Sequence, residues 1–222
     1  MKLYSLITLL LASLLGGMAM AAPQPADMKL VLDKQGIRIW SYSIPGSPLN
    51  GFKAVTTVKS RLSNVVGLIT DTDAASRWLY RTSEVETLKR NDEDMSFVIR
   101  VVTDFPWPFK DREAVVAGRI TQDPKTMVVR IDSNTVGGYA TRKGNLNMPI
   151  VQGSWQFRPL GNGLVEITMT GHADPGGNPP VSLVNMFIQE HPYNSLMALR
   201  NVISEPNFQT ARLASIREPL YQ

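Results

Sequence analysis

The chain has 222 residues, 43% of them hydrophobic, with 23 basic against 19 acidic side chains and no cysteine. That apolar content excludes a disordered chain and fits one globular domain. The missing thiols exclude a disulfide scaffold, a cysteine nucleophile, an iron–sulfur cluster and a cysteine-ligated zinc site. Two histidines, His172 and His191, are too few for a histidine-rich metal centre, so neither metal nor cofactor is expected.

Residues 1–21 carry one charge, Lys2, then an apolar run from Leu3 to Leu15. They end on Ala19, Met20 and Ala21, the small-x-small pattern of a signal-peptidase site. The run is shorter than the roughly 20 residues that cross a bilayer. A cleavable signal over residues 1–21 is therefore expected, in preference to an uncleaved anchor, with a periplasmic or secreted destination. The remainder is close to neutral and lacks a basic block, which argues against nucleic acid as a partner.

Strands begin after a polar, Pro-containing leader over residues 22–28. Residues 37–43 alternate, with Ile37 and Ile39 on one face and Arg38, Trp40 and Tyr42 on the other. A turn at Pro45, Gly46, Ser47 and Pro48 leads to a second β-rich run, residues 52–59. The period then changes. Val65, Val66, Ile69, Ala74 and Trp78 recur at helical spacing over residues 63–80, with Ser63 a candidate N-cap. Asp71, Thr72 and Asp73 break this stretch in two, Asp73 capping the second piece.

Strand patterns return over residues 84–89, 95–103, 112–121, 126–133, 154–159 and 164–173, separated by turn residues such as Asp123-Pro124 and Gly161-Asn162-Gly163. This spacing suits an antiparallel, hairpin-linked sheet. Pro179 and Pro180 open a helical pattern running to about Ser204, with Val181, Val184, Ile188, Leu196, Leu199 and Ile203 as its apolar stripe and a kink expected at Pro192. Residues 205–222 form a tail with no assignable element. The predicted class is α+β.

No GxSxG, HExxH, Walker loop or strand–GxGxxG–helix is present. His172 and Asp174, two apart, would share a strand face as an acid/base pair, but the ordinary reading is a strand-end histidine and a turn aspartate. His191 reads as a helix-face residue. Arg112, flanked by Asp111 and Glu113, could meet an anionic head group or simply brace its loop. Phe105, Trp107 and Phe109, interleaved with Pro106 and Pro108, form a stiff aromatic loop. It packs on the core, covers a cavity mouth or dips into a membrane interface, where Trp is favoured.

In order along the chain, the early strand pair with its PGSP turn, Trp78, Pro106-Trp107-Pro108 with Asp111-Arg112, Gly153-Ser154-Trp155, and residues 172–177 leading to Pro180, Leu183, Val184 and Asn185 resemble the START domain, the StAR-related lipid-transfer family, in its bacterial secreted form. The resemblance covers nearly all of residues 28–204. It implies a helix-grip fold, with a curved antiparallel sheet wrapped around the long C-terminal helix and an internal apolar cavity. Residues 22–204 would be the lipid-binding domain. A monomer would hold one lipid in a tunnel gated by residues 103–111 and the helix, with transient membrane contact and no catalysis.

Sterol-binding members carry a carboxylate and an arginine on adjacent central strands. Here Val101 and Gly118 align with them, while Arg100 and Arg119 lie one residue off and should face outward. A phospholipid therefore suits the tunnel better than a sterol. The expected lining is Trp78, Phe97, Ile99 and Val101, the loop aromatics Phe105, Trp107 and Phe109 with Arg112, then Met127, Val129 and Met169, and from the helix Val184, Ile188 and Leu199. The same stripes could equally fill a solid core. The rival functions are a helix-grip enzyme of cyclase or hydrolase type and a module that binds a partner's hydrophobic segment.

Overall fold

The structure, a computed structural model, describes residues 28–210 and 213–220. The expected signal over residues 1–21 lies outside them. Ten strands form one sheet: β1 (Met28–Lys34), β2 (Ile37–Ser43), β3 (Asn50–Lys59), β4 (Thr82–Asn91), β5 (Ser96–Thr103), β6 (Arg112–Gln122), β7 (Val129–Thr135), β8 (Leu146–Asn147), β9 (Ile150–Gly161) and β10 (Leu164–Asp174). Their order across the sheet is β1-β2-β3-β10-β9-β7-β6-β5-β4, and short β8 adds a parallel pairing beside β6. The four helices are α1 (Leu62–Thr70), α2 (Ala75–Trp78), α3 (Val181–Ile203) and α4 (Pro206–Thr210). This is an α+β helix-grip arrangement, with α3 against one face of a large antiparallel sheet.

Alternation decides which way each strand faces. In β2, Ile37 and Ile39 are buried while Arg38 is exposed. The inward side chains of β3, β7, β9 and β10 meet those of α1 and the second half of α3 in a close-packed core, which includes Ala54, Val65, Phe157 and Ile167 with Leu196 and Leu199. Each fully buried Leu or Ile side chain contributes roughly 1.5–3 kcal/mol. Leu196, Leu199 and Ile203 thus fix the C-terminal half of α3 firmly. Its N-terminal half carries Val181 and Met186 at 44% and 45% exposure, so Val181 leaves the predicted apolar stripe. The helix is continuous through Pro192.

Three local readings are corrected. Ser63 does not cap α1, which starts one residue earlier with no side-chain cap from Arg61. The cap comes from the far end of the chain: the Glu218 carboxylate accepts Leu62 N–H at 3.1 Å, Ser63 N–H at 2.8 Å and the Ser63 hydroxyl at 2.5 Å. Nor does Asp73 cap α2. Asp71 Oδ1 accepts the N–H groups of Asp73 and Ala74 instead. Beyond Ser204 the chain folds back as α4, and buried Ile216 joins the core.

Candidate ligand cavity

The side of the sheet formed by β4, β5 and β6 is not filled by α3. A partly open cavity of about 360 Å³ lies there, bordered by α2, α3 and the loop after β5. Phe97, Ile99 and Val101 line it from β5, and Ala114, Val116 and Ile120 from β6. Gly118 makes this wall possible: a Cβ there would stand 2.4 Å from the Phe97 ring and 2.9 Å from Asp132 O. Only a glycine leaves the Phe97 ring its place across the strand.

Trp155 marks the boundary between hollow and solid. It meets Trp78 edge-on at 5.7 Å and stacks on Phe157 at 6.2 Å. Towards the cavity, Ile131, Trp155 and Met169 form one cross-strand row. One row deeper, Val129, Phe157 and Ile167 are fully buried.

Of the expected lining, Trp78, Phe97, Ile99, Val101, Phe105, Met169, Val184 and Ile188 border the cavity. Val129 and Leu199 do not, because both are 0% exposed in the solid core, and Met127 packs against that core from the β6–β7 turn. Trp107 is 92% exposed and points into solvent. Phe109 lies edge-on to Phe105 at 5.9 Å and not on the cavity wall.

Of the two readings of Arg112, the structure shows the loop brace, and Arg112 does not border the cavity. It is 2% exposed, its Nε donates to Pro175 O at 2.9 Å, and its terminal nitrogens reach Lys110 O and Gly176 O. The Phe105 ring covers its guanidinium at 4.0 Å. Burial pushes its pKa down, with Asp111 acting in the opposite direction. The side chain joins two loops at the cavity's end through backbone carbonyls.

His172, between Gly171 and Ala173 near the end of β10, is among the residues that line the cavity. Its Nδ1 has no hydrogen-bond partner, while Asp174 Oδ1 accepts Gly176 N–H at 2.9 Å. The acid/base pair is therefore not formed. Among the described residues no group of three potential metal ligands exists, and no helix is long and apolar enough to cross a membrane.

Arg100 and Arg119 face outward. Arg100 binds Glu86 at 2.7 Å and Glu113 at 3.0 Å, and Arg119 binds Asp94 at 2.9 Å. Val101 pairs with Ala114, and Gly118 with Phe97. The β5–β6 wall therefore presents no carboxylate–arginine pair to the cavity.

Sequence reading missed the polar corner where α2 runs into β4. Arg81 sits at φ 55° and stacks against Phe187 at 5.6 Å, and Thr82 lines the wall beside it. His191 also lines the cavity and is otherwise enclosed by protein, so its remaining accessible area faces the void. Burial lowers its pKa to about 4, which keeps it neutral near pH 7. The signal was weak, because a lone histidine or arginine in a helical or turn segment has no telling spacing.

No family model matches the chain. An uncharacterized protein of Pseudomonas aeruginosa is 27% identical over 175 residues, 79% of this chain and 86% of its own length. A STAR-related lipid transfer protein from Xanthomonas axonopodis (fragment 25–204) is 27% identical at a TM-score of 0.74, covering 81% of this chain and 99% of that one. Human STARD10 superposes with a TM-score of 0.74 at 16% identity, over 84% of this chain and 77% of that one. Together with the hollow interior, these likenesses support a hydrophobic ligand-binding function.

Proposed function

This chain carries the START fold, and from that premise we propose that it binds and transfers one lipid, a glycerophospholipid, in the periplasm or outside the cell, without catalysing a reaction on it. The observation that carries the reading is the apolar cavity itself, walled by Phe97, whose ring Gly118 accommodates, with Ile99, Val101, Trp155 and Met169. Each acyl methylene moved from water into it gains about 0.8 kcal/mol, so the chains supply the affinity. Exposed Trp107, with Val181 and Met186 at the start of α3, offers apolar contact to a membrane surface at the same end of the molecule. A phospholipid suits the β5–β6 wall because no ion pair stands there to orient a sterol hydroxyl. A signal over residues 1–21 would deliver the protein to the compartment where lipids need a soluble carrier.

The absence of a formed His172–Asp174 pair favours binding over the enzymatic alternative. Native mass spectrometry of protein incubated with phospholipid vesicles tests the reading. One lipid retained per chain is the expected result. Protein that stays lipid-free under these conditions overturns it.

A further inference from the structure

The α2–β4 corner of the cavity holds polar atoms that the protein leaves unsatisfied. Trp78 is 4% exposed and Thr82 6%, yet Trp78 Nε1 and Thr82 Oγ1 have no hydrogen-bond partner. Arg81 Nε is likewise buried and unpartnered. All three side chains line the cavity, and His191, one helical turn beyond Phe187, lines it too. The corner is held rigidly, since Tyr80 N–H donates to Ser195 Oγ at 3.0 Å and Asp104 N–H donates to Arg81 O at 2.7 Å. Buried polar groups are almost always hydrogen-bonded, so this cluster of unpartnered donors marks a place for an acceptor.

Charge selects the missing partner. The Arg90–Asp92 pair on the opposite rim is closed at 2.7 Å. Arg81 forms no ion pair among the described residues; it has only the Tyr80 and Phe187 rings at 5.7 and 5.6 Å. Asp104, also on the rim, is exposed and makes no ion pair with it among the described residues. One cation, an indole N–H and a hydroxyl together form a donor set for oxygen anions.

Building on the lipid-binding reading, we propose that this corner is an anion subsite, in which Arg81 takes the charge and Trp78 and Thr82 the remaining oxygen lone pairs of a singly charged lipid head, a carboxylate or a phosphate ester. The lipid would then lie head-inward, its charge under α3 and its chain along β5 and β6. Head-group class becomes a property of Arg81, not of the loop arginine Arg112.

The experiment compares three probes with equal C16 chains, palmitate, hexadecyl phosphate and hexadecanol, by equilibrium titration of the full chain, of Arg81→Gln and of Arg81→Lys. Wild type is expected to bind at least one anionic probe more than tenfold tighter than the alcohol, and the tighter anion identifies which oxyanion the corner takes. Arg81→Gln should weaken the favoured anion more than tenfold relative to hexadecanol, erasing the preference, and Arg81→Lys should restore part of it. Equal affinity for all three probes in wild type overturns the subsite and leaves the lipid-binding reading standing. No binding of any probe also overturns the subsite, while the lipid-binding reading stands or falls by the vesicle experiment. Should Arg81→Gln fail to fold, the wild-type ranking and Arg81→Lys still decide.

Discussion

At the scale of single residues, His191 and Trp107 make opposite kinds of prediction. The folded pKa of His191, about 4, lies below the ordinary 6.5. The unfolded chain therefore takes up a proton between pH 6.5 and 4 that the folded chain refuses. Stability falls as pH drops through that window, by roughly 3 kcal/mol when fully expressed. Glu84, Asp94 and Asp123, whose pKa values are lowered by hydrogen bonds, lose their contribution only in more acidic solution. Urea midpoints from pH 7 to 4 should decline less steeply in His191→Gln than in wild type; parallel slopes would show that the imidazole is not the titrating group. Trp107→Ala removes a side chain that touches little, so stability should stay within about 0.5 kcal/mol while lipid uptake from vesicles slows several-fold. Phe109 is a poorer probe of membrane contact. Its edge-on packing against Phe105 is worth about 0.5–1.5 kcal/mol, so its loss would weaken the loop itself.

At the scale of elements, the cap on α1 is borrowed from residue 218. Glu218→Ala strips an acceptor from two backbone N–H groups and one hydroxyl and should cost about 1–2 kcal/mol, read as a lower thermal midpoint. An unchanged midpoint would mean that water replaces the carboxylate at no loss. Such a partner, about 155 residues away, cannot be seen from local capping patterns, which is why Ser63 looked like the cap. The strands themselves were legible, because alternation in residues 37–43 or 95–103 reports directly on facing. Alternation is silent about what lies opposite, however. In the stripe Val165, Ile167 and Met169, two residues enter the solid core and one faces the void. Met127 and Val129 divide from Ile131 in the same way. Only the packing partner, α1 or empty space, separates the two outcomes. Arg112 was similarly ambiguous, since its partners are backbone carbonyls, which every sequence possesses.

At the scale of the whole molecule, the sheet order places β4, β5 and β6 at one margin and the central core strands β3, β10, β9 and β7 beside them. α3 lies across both regions. From Ser195 onward it is nailed to the core by Leu196, Leu199, Val202 and Ile203. Before Ile188 it roofs the hollow part, held there by contacts such as Asn185 Oδ1 accepting Asn50 N–H at 3.4 Å and Phe187 meeting Phe105 at 5.4 Å. Mechanically the helix is a cantilever: a clamped C-terminal root and a lightly tied N-terminal span. Pro192 removes one N–H from the helix ladder where the anchored half meets the roof, so a load on the roof is expected to bend the helix there before it tilts the whole rod. On the proposed lipid-binding reading, a guest would enter beside that span without loosening the packing that keeps the chain folded.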